Sequence, residues 1–322
     1  MSTAPRHVRL LGVPSSLGTH RYGAEGGYRA LCATGLQREI LGLGHELDDC
    51  GTFPVHERKD PGNPKAIHLQ EISDLCQRLS EWQLGALNHK HFPLVIGGDH
   101  SIAIGTVAGS ASYCQRHGER LGLLWIDAHG DMNTPETTPS GGVHGMPLAA
   151  CIGLGAPELT EIAGFSPKVR RENTALVGIR DIDADEARLI EASGVRYFTM
   201  RDIDERGLNA VMHDAIEVVT RGTVGFHLSF DIDSVDPQVA PGVGTPVLGG
   251  LTYREAHLAL ELVADTGQLL SMDMVEINPL YDERNMTAQV AMKLIGSALG
   301  KRILPSLVRP PASKDAVRRP RL

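Results

Sequence analysis

The sequence predicts an α/β fold in which helices cover both faces of a central parallel sheet. Short apolar runs rich in β-branched residues alternate with longer stretches whose apolar residues recur at helical spacing. The predicted strands are VRLLGV (8–13), FPLVIGG (92–98), LGLLWIDA (121–128), TALVGI (174–179), VGFHLSFDID (224–233) and LLSMDMVEI (269–277). Continuous apolar runs are typical of strands that are buried on both faces, and their alternation with helices predicts parallel pairing.

The predicted helices show one apolar stripe each. In the segment after residue 70, apolar side chains three and four positions apart share one helix face: Ile72, Leu75, Cys76 and Leu79. The segments 256–263 and 286–299 follow the same pattern. We therefore expect these segments to pack against the sheet.

The chain is predicted to form one domain over residues 1–303, followed by a disordered tail. The tail, 304–322, is basic and contains proline, with few apolar residues. Two other stretches, 132–145 and 234–250, are rich in proline, glycine, serine and threonine and directly follow predicted strands. Ligands bind at that edge of open α/β sheets, so these loops are candidate parts of a functional site.

Composition limits the classes of partner. The net charge is -8 and the aromatic share is 4%, which argues against binding to nucleic acid or to an anionic membrane surface. The five cysteines are scattered without a CxxC pair, so neither a disulfide framework nor a thiolate zinc site is predicted. Thiols in a reducing compartment and the lack of a long apolar segment predict a cytoplasmic protein.

Three clusters of polar residues follow predicted strands. They are GGDHS at 97–101, DAHGD at 127–131 and DID at 231–233. In extended geometry, alternate side chains point to the same side, so each cluster can direct its polar groups together. A single Asp-x-His or Asp-x-Asp after a strand is more often a cap, a turn or a solvated pair. All three clusters together favour one shared site.

The shared site is predicted to hold metal. It would contain two imidazoles and four carboxylates, from His100, Asp127, His129, Asp131, Asp231 and Asp233. Carboxylates this crowded do not all ionise unless cations lie between them. Oxygen ligands with a minority of imidazole favour two Mn²⁺ ions, with Ni²⁺, Co²⁺ or Fe²⁺ as alternatives.

The motifs then show a specific resemblance. GGDHS, WIDAHGDMNTPETTPSGGVHGMPLA, HLSFDIDSVDPQVAPGVGTPVLGGLTYRE and MVEINPLYDERN resemble, in order, the four signature blocks of the arginase-like ureohydrolase family. The similarity extends from LGVPSSLGTHRYGAEGG to a helix ending near Leu299. It implies the three-layer α/β/α sandwich of the arginase/deacetylase fold. It also implies a hydrolase acting on C–N bonds of linear amidines.

The resemblance assigns roles to individual residues. One ion would be bound by His100, Asp127, Asp131 and Asp231, and the other by Asp127, His129, Asp231 and Asp233. A hydroxide between the ions would attack the guanidino carbon of L-arginine, giving L-ornithine and urea. Asp131 would pass a proton to the departing amine, and His144 would shuttle protons. His144 is alternatively a solvent-exposed loop histidine.

The resemblance also implies the substrate contacts. Glu276 would pair with the guanidinium group, with Thr245 beside it. Asn133 and Ser140 match positions that contact the α-carboxylate, and Asp183 matches the carboxylate facing the α-amino group. The alternatives are a buried salt bridge for Glu276, turn formation for Asn133 and Ser140, and helix capping for Asp183.

One departure leaves the substrate open between guanidino compounds. The family usually has Ser-Gly-Asn before the loop histidine, whereas this chain has Ser140-Gly141-Gly142. A lost amide donor is worth about 1.5–3 kcal/mol if nothing replaces it. The alternative substrates are agmatine, guanidinobutyrate and other guanidino acids. The family resemblance further implies a homotrimer or homohexamer.

Two hypotheses from other classes remain. A catalytically silent metal-binding regulatory subunit would have no need to keep both His144 and Glu276. A two-metal phosphoesterase would need cationic residues around the site, and Arg180 is the nearest candidate.

Overall fold

The computed structural model describes residues 5–56 and 60–304 and shows one sheet of parallel strands. The strands are β1 (His7–Val13), β2 (Glu46–Thr52), β3 (Phe92–Gly97), β4 (Leu121–Ile126), β5 (Thr174–Ile179), β6 (Arg196–Thr199), β7 (Gly225–Asp231) and β8 (Leu269–Val275). Every strand pair in the sheet is parallel. The predicted α/β fold is confirmed.

Helices connect the strands. They are α1 (Gly27–Ala33), α2 (Leu36–Gly42), α3 (Leu69–Asn88), α4 (Ala103–Arg116), α5 (Pro147–Cys151), α6 (Pro157–Thr160), α7 (Ala184–Ser193), α8 (Met200–Arg206), α9 (Leu208–Thr220), α10 (Tyr253–Asp265) and α11 (Met286–Ala298). Short 3-10 helices span Ala24–Gly26, His100–Ile102, Val143–Gly145, Ile162–Gly164, Arg171–Asn173 and Ile232–Ser234.

Local sequence explains where several of these helices begin. At α10, the Thr252 side chain accepts a hydrogen bond from the Glu255 amide, while the Glu255 carboxylate accepts one from the Thr252 amide. This capping box satisfies two amides that have no partner within the helix. Asp183 caps α7 by accepting from the amides of Asp185 and Glu186. Asp183 therefore caps α7, and its proposed contact with a substrate stays a prediction.

The sheet has the strand order β2-β1-β3-β8-β7-β4-β5-β6. All six strands predicted from apolar runs are present. The two strands that the sequence did not predict, β2 and β6, are the edges of the sheet. The sequence of β2 is ELDDCGT, and its side chains are largely exposed, so the apolar signal of a buried strand is missing.

Alternating side chains of the strands build a core on each face. On one face, Val8 and Leu10 of β1 pack with α1, α2, α10 and α11. On the other face, Leu11 and Val13 pack with apolar residues of α3 and α4. All four predicted stripe residues of α3, from Ile72 to Leu79, are buried. The three layers hold the sheet rigidly, and the loops after the strands extend from its carboxyl-terminal edge.

The two loops predicted at that edge are confirmed. Residues 132–145 and 234–250 follow β4 and β7, and they contain only short 3-10 turns. The predicted tail, 304–322, lies outside the described residues except for Leu304. Among residues 5–56 and 60–304, no helix is long and apolar enough to cross a membrane.

Helix α9 packs directly on the backbone of β4 at Gly122. A Cβ atom at Gly122 would lie 2.0 Å from the carbonyl oxygen of Val219. Because backbone atoms on both sides would have to move, we expect Gly122→Ala to lower the free energy of unfolding by about 1–3 kcal/mol. Urea denaturation followed by circular dichroism measures this change.

Gly85 provides the matched control. It lies inside α3, and a Cβ atom there would have nothing within 4 Å. Gly85→Ala should therefore raise the free energy of unfolding by up to about 1 kcal/mol through helix propensity alone. Equal stabilities of the two variants would contradict the close contact between α9 and β4.

Candidate metal centre

Close backbone packing positions the first polar cluster, after β3. A Cβ atom at Gly98 would lie 2.0 Å from the Ser15 carbonyl oxygen, so only glycine fits where the loops after β1 and β3 touch. The Asp99 carboxylate then accepts from the amide of Ser101 and caps the turn His100–Ile102. His100 is consequently fixed at the edge of the sheet and is 1% exposed.

The second and third clusters are held by local hydrogen bonds. The Asp127 carboxylate accepts from the His129 amide at 2.8 Å and from the Trp125 indole at 3.0 Å. The Asp231 carboxylate accepts from the Asp233 amide at 2.8 Å. Asp131 has a φ of 52°, a left-handed conformation that is costly for a residue with a side chain.

The six predicted ligands lie together. The His100 Nδ1 atom is 3.1 Å from Asp127 Oδ2, 3.0 Å from Asp131 Oδ2 and 3.2 Å from Asp231 Oδ2. The His129 Nδ1 atom is 3.1 Å from Asp233 Oδ2 and 3.5 Å from Asp127 Oδ1. We call these six residues the candidate metal centre. Asp127 is the carboxylate that both groups share.

A hydrogen-bonded chain behind the centre fixes the orientation of the first imidazole. The Ser229 hydroxyl donates to Asp273 Oδ1 at 2.6 Å, so it accepts from His100 Nε2, which is 2.8 Å away. His227 Nε2 lies 2.9 Å from the other oxygen of Asp273. The Nδ1 atom of His100 therefore points at the carboxylates. Nothing in the sequence distinguished Ser229 and Asp273 from ordinary strand residues.

The electrostatics of the centre require additional positive charge. Burial, followed by the charge of Asp127, raises the pKa of Asp131 to about 6. Burial and the charges of Asp233 and Asp127 raise the pKa of Asp231 well above its ordinary value. Burial alone would lower the pKa of His100, but the charge of Asp131 and the proximity of Asp127 and Asp231 raise it. Burial and mutual repulsion therefore make the ionised forms of Asp131 and Asp231 costly, and nearby cations would relieve that cost.

The arrangement fits divalent cations. Within the described part of the chain, His100 Nδ1 and Asp131 Oδ2 are buried and make no hydrogen bond, although they face each other. Two sets of side chains bring ligand atoms within 4.8 Å of one another: His100, Asp127 and Asp231, and Asp127, His129 and Asp233. An imidazole nitrogen surrounded by carboxylate oxygens is a set of ligand atoms that binds divalent cations.

A cavity of about 250 Å³ opens beside the centre. Its walls are His100, His129, Asp131, Asn133, Pro139, His144, Gly145, Asp181, Asp183, Glu186, Asp231, Asp233 and Thr245. We call it the acidic cavity, because these lining residues include six carboxylates and no lysine or arginine. Such a surface favours a cationic ligand.

Two of the acidic residues were not predicted. Asp181 lies two residues before Asp183. Glu186 lies three residues after Asp183, in the first turn of α7. Burial raises the pKa of Glu186 to about 8. Its carboxylate accepts from the Met132 amide at 2.9 Å. The sequence DIDADE does contain the signal, because residues three apart on a helix lie on the same side.

The predicted substrate residues separate into two groups. The Asn133 side chain donates to the Asp183 carboxylate at 2.8 Å, and both line the acidic cavity. The Thr245 hydroxyl, also in the lining, donates to Asp233 at 3.1 Å. Ser140 lies elsewhere: its hydroxyl accepts from the Gly142 amide, and it lines a neighbouring cavity. The turn interpretation therefore describes its contacts in the structure.

His144 and Glu276 lie against each other. The His144 Nδ1 atom is 3.4 Å from Glu276 Oε1, and the His144 side chain is 22% exposed. Burial opposes protonation, but the hydrogen bond and charge of Glu276 raise the pKa of His144. Glu276 is buried, accepts from the His100 amide at 3.0 Å and has a φ of 62°. Its neighbours His100 and His144 line the acidic cavity, whereas Glu276 itself is not among the lining residues.

Arg180 is not available to bind an anion. Its guanidinium donates to the backbone carbonyls of Val247 at 2.8 Å and Asp233 at 2.7 Å. A third bond reaches the Ser234 carbonyl at 3.2 Å. The side chain thereby joins two ends of the 234–250 loop, which argues against a phosphate clamp and the phosphoesterase hypothesis.

Known proteins match this chain along nearly its full length. A family model described as Arginase family matches residues 6–300. The chain is similar to the arginase of Brevibacillus brevis, with 44% identity over 93% of this chain and 99% of that protein. It is also similar to the solved structure of the arginase of Bacillus caldovelox. The sequence identity is 43%, the match covers 93% of this chain and 100% of that one, and the TM-score is 0.89.

A more distant solved structure is the arginase of Entamoeba histolytica in complex with L-ornithine. The two chains are 32% identical, and the match covers 94% of this chain and 100% of that one. The TM-score is 0.85.

The hydrogen-bonded chain behind His100 generates a testable prediction. Ser229→Ala removes the acceptor of the His100 Nε2 proton and leaves all six predicted ligands unchanged in sequence. We expect metal affinity to fall about 10–100-fold, because partners of this kind orient the ligating imidazole. Calorimetric titration of metal-stripped protein measures the affinity.

Ser112→Ala is the matched control, since Ser112 is buried but donates only within α4, to the Ala108 carbonyl. It should bind metal as the parent does. Identical affinities of the Ser229 and Ser112 variants would show that Ser229 does not orient His100.

Proposed function

This chain belongs to the arginase family and is a hydrolase of C–N bonds in linear amidines, and we propose that it converts L-arginine to L-ornithine and urea at the candidate metal centre. The observation that carries the proposal is the convergence of four carboxylates and two imidazoles at the base of an acidic cavity. The cavity carries charge opposite to that of a guanidinium group. Arginine hydrolysis also agrees with the names of the relatives.

We propose that two divalent ions occupy the centre. His100, Asp127, Asp131 and Asp231 would bind one, and Asp127, His129, Asp231 and Asp233 the other. Four carboxylates against two imidazoles favour Mn²⁺, with Ni²⁺, Co²⁺ and Fe²⁺ as alternatives. When bound, such ions would neutralise the carboxylates and make water in the cavity more acidic.

The side chains of the cavity would bind and orient arginine. Its guanidinium group would lie at the end of the acidic cavity next to the candidate metal centre. Glu276 is the proposed partner of that group. Asp183 is suited to the α-amino group, because its carboxylate is fixed by α7 and by Asn133. Asn133 and Ser140 remain the proposed contacts of the α-carboxylate. For Ser140, that contact requires the substrate tail to extend beyond the acidic cavity.

Two residues would handle the proton that the departing amine needs. Asp131 faces both the centre and the cavity, so it can carry a proton from the cavity to the amine. His144 is partly exposed, and Glu276 favours its protonated form, so it can deliver protons from solvent. A carboxylate that holds the imidazole in place is typical of proton-transfer histidines.

We further propose a cytoplasmic homotrimer or homohexamer. The described cysteines are all unpaired, which agrees with a reducing compartment. The oligomeric state rests on the family resemblance alone.

Urea release by manganese-loaded protein is the first test of the activity. L-Arginine, agmatine, guanidinobutyrate and guanidinoacetate are compared in parallel, with the metal content measured in the same samples. We expect turnover of L-arginine to exceed that of the others, because Asp183 and Asn133 provide polar contacts for the amino acid end. Preferential turnover of another guanidino compound would make Gly142 a specificity change. The absence of turnover with all four would overturn the proposal.

The proposed role of His144 can be tested separately. His144→Asn should retain metal but lower kcat about 10²-fold or more, since proton transfer by a positioned group contributes this much. The measurement is kcat from about pH 7 to about pH 10, across the range in which a raised imidazole pKa matters.

His117→Asn is the control, because His117 is exposed, contacts the Tyr113 carbonyl of α4 at 2.8 Å and does not line the acidic cavity. It should leave kcat unchanged. A His144 variant with the kcat of the parent throughout the pH range would remove His144 from the mechanism.

A further inference from the structure

A second group of metal-ligand side chains lies at the amino-terminal edge of the sheet. His7 begins β1, Asp48 lies on the edge strand β2, and His91 immediately precedes β3. The register pairs His7 with Glu46 on one side, and Val8 with Phe92 on the other. His7 and His91 are therefore neighbours across the strands. The candidate metal centre follows the opposite, carboxyl-terminal ends of the strands.

The three side chains direct ligand atoms at one small volume. One ligand atom from each of His7, Asp48 and His91 lies within 4.8 Å of the other two. The His7 Nε2 atom is 3.0 Å from Asp48 Oδ2, and the rings of His7 and His91 have centroids 4.2 Å apart. Neighbouring imidazoles and a carboxylate are the ligand types that zinc prefers in the absence of thiolates.

Two of these nitrogens have no hydrogen-bond partner among the residues that the structure describes. Within the described residues, His7 Nε2 and His91 Nδ1 are enclosed by protein atoms and make no hydrogen bond. His7 Nε2 is close to Asp48, but outside hydrogen-bonding geometry. Buried polar atoms normally have a hydrogen-bond partner, so each one without a partner needs an explanation. A bound cation would explain both nitrogens at once.

The surroundings support a cation at this position. The Glu46 carboxylate lies 3.2 Å from His7 Nδ1, so it can accept the ring proton on the side away from Asp48. A carboxylate in that position fixes the tautomer that leaves Nε2 free to bind metal. The His91 amide donates to the Ala86 carbonyl, in the last turn of α3, where the helix dipole is negative.

The Arg9 guanidinium is directed elsewhere. The Arg9 side chain donates to Cys50 Sγ at 3.4 Å, and its guanidinium lies over the ring of Trp82.

We propose that His7, Asp48 and His91 form a binding site for one Zn²⁺ ion, separate from the candidate metal centre. The His7 and Asp48 side chains are 34% and 51% exposed, so solvent can reach the ion and supply a fourth ligand. The ion would join the start of β1, the edge strand β2 and the connection between α3 and β3. It would therefore hold a polar edge strand to the rest of the sheet.

The test counts zinc ions bound by manganese-loaded protein. The parent and His91→Gln are each incubated with one equivalent of Zn²⁺, separated from free metal by gel filtration, and analysed for zinc and manganese by mass spectrometry. We expect the parent to bind one Zn²⁺ per chain more than His91→Gln, with manganese unchanged in both. His7→Gln should show the same loss, and its circular dichroism confirms that the fold is retained.

His89→Gln is the matched control. His89 lies two residues from His91, but its Nδ1 atom contacts the Gly85 carbonyl of its own helix, at 2.8 Å. It should bind zinc as the parent does. Glu46→Gln should weaken zinc binding about 10–100-fold, because it removes only the partner of the ligating imidazole.

Three outcomes would overturn the site. They are equal zinc uptake by the parent and His91→Gln, zinc uptake only in exchange for manganese, and an equal loss in His89→Gln. The comparison uses the difference between variants, so it does not depend on how many ions the first centre holds. Failure of urea release would overturn the proposed function and leave this difference unaffected.

Discussion

The structure is organised around the repulsion between buried carboxylates at one edge of the sheet. Asp127, Asp131 and Asp231 surround the Nδ1 atom of His100 at 3.0–3.2 Å, and the other nitrogen of that ring is already committed to Ser229. Such an arrangement is unfavourable without cations, because burial removes the water that would screen the charges. The remaining structure has to hold these groups together against that repulsion.

The strand order of the sheet keeps the buried carboxylates close together. The clusters follow β3, β4 and β7, and Glu276 follows β8; these four strands are consecutive neighbours, in the order β3-β8-β7-β4. All four strands are buried, with apolar side chains on at least one face of each, so the positions of the strand ends are fixed by core packing. Arg180 then joins the 234–250 loop to the strand end beside it. The centre is thus built from rigid elements, and the loops add the cavity wall.

Much of this was predictable from sequence, because the six ligands follow apolar runs in short, regular patterns. What the sequence did not indicate has physical reasons. β2 and β6 face solvent at the edges of the sheet, so their sequences lack an apolar run. Ser229 and Asp273 lie inside buried strands and act through His100, so no metal-ligand motif marks them. Gly98 cannot carry a side chain because the Ser15 backbone approaches it closely, and a contact between segments so distant in the chain leaves no local pattern.

Asp131 and Glu276 have φ angles of 52° and 62°, and both lie where the chain leaves a strand and enters the site. Each left-handed residue with a side chain costs about 1–3 kcal/mol of folding stability. The fold therefore gives up stability at two positions to direct these carboxylates inward. Selection for thermal stability alone would favour glycine at both, and it would remove the groups proposed for proton transfer and guanidinium binding. Activity and robustness are in direct competition at these two residues.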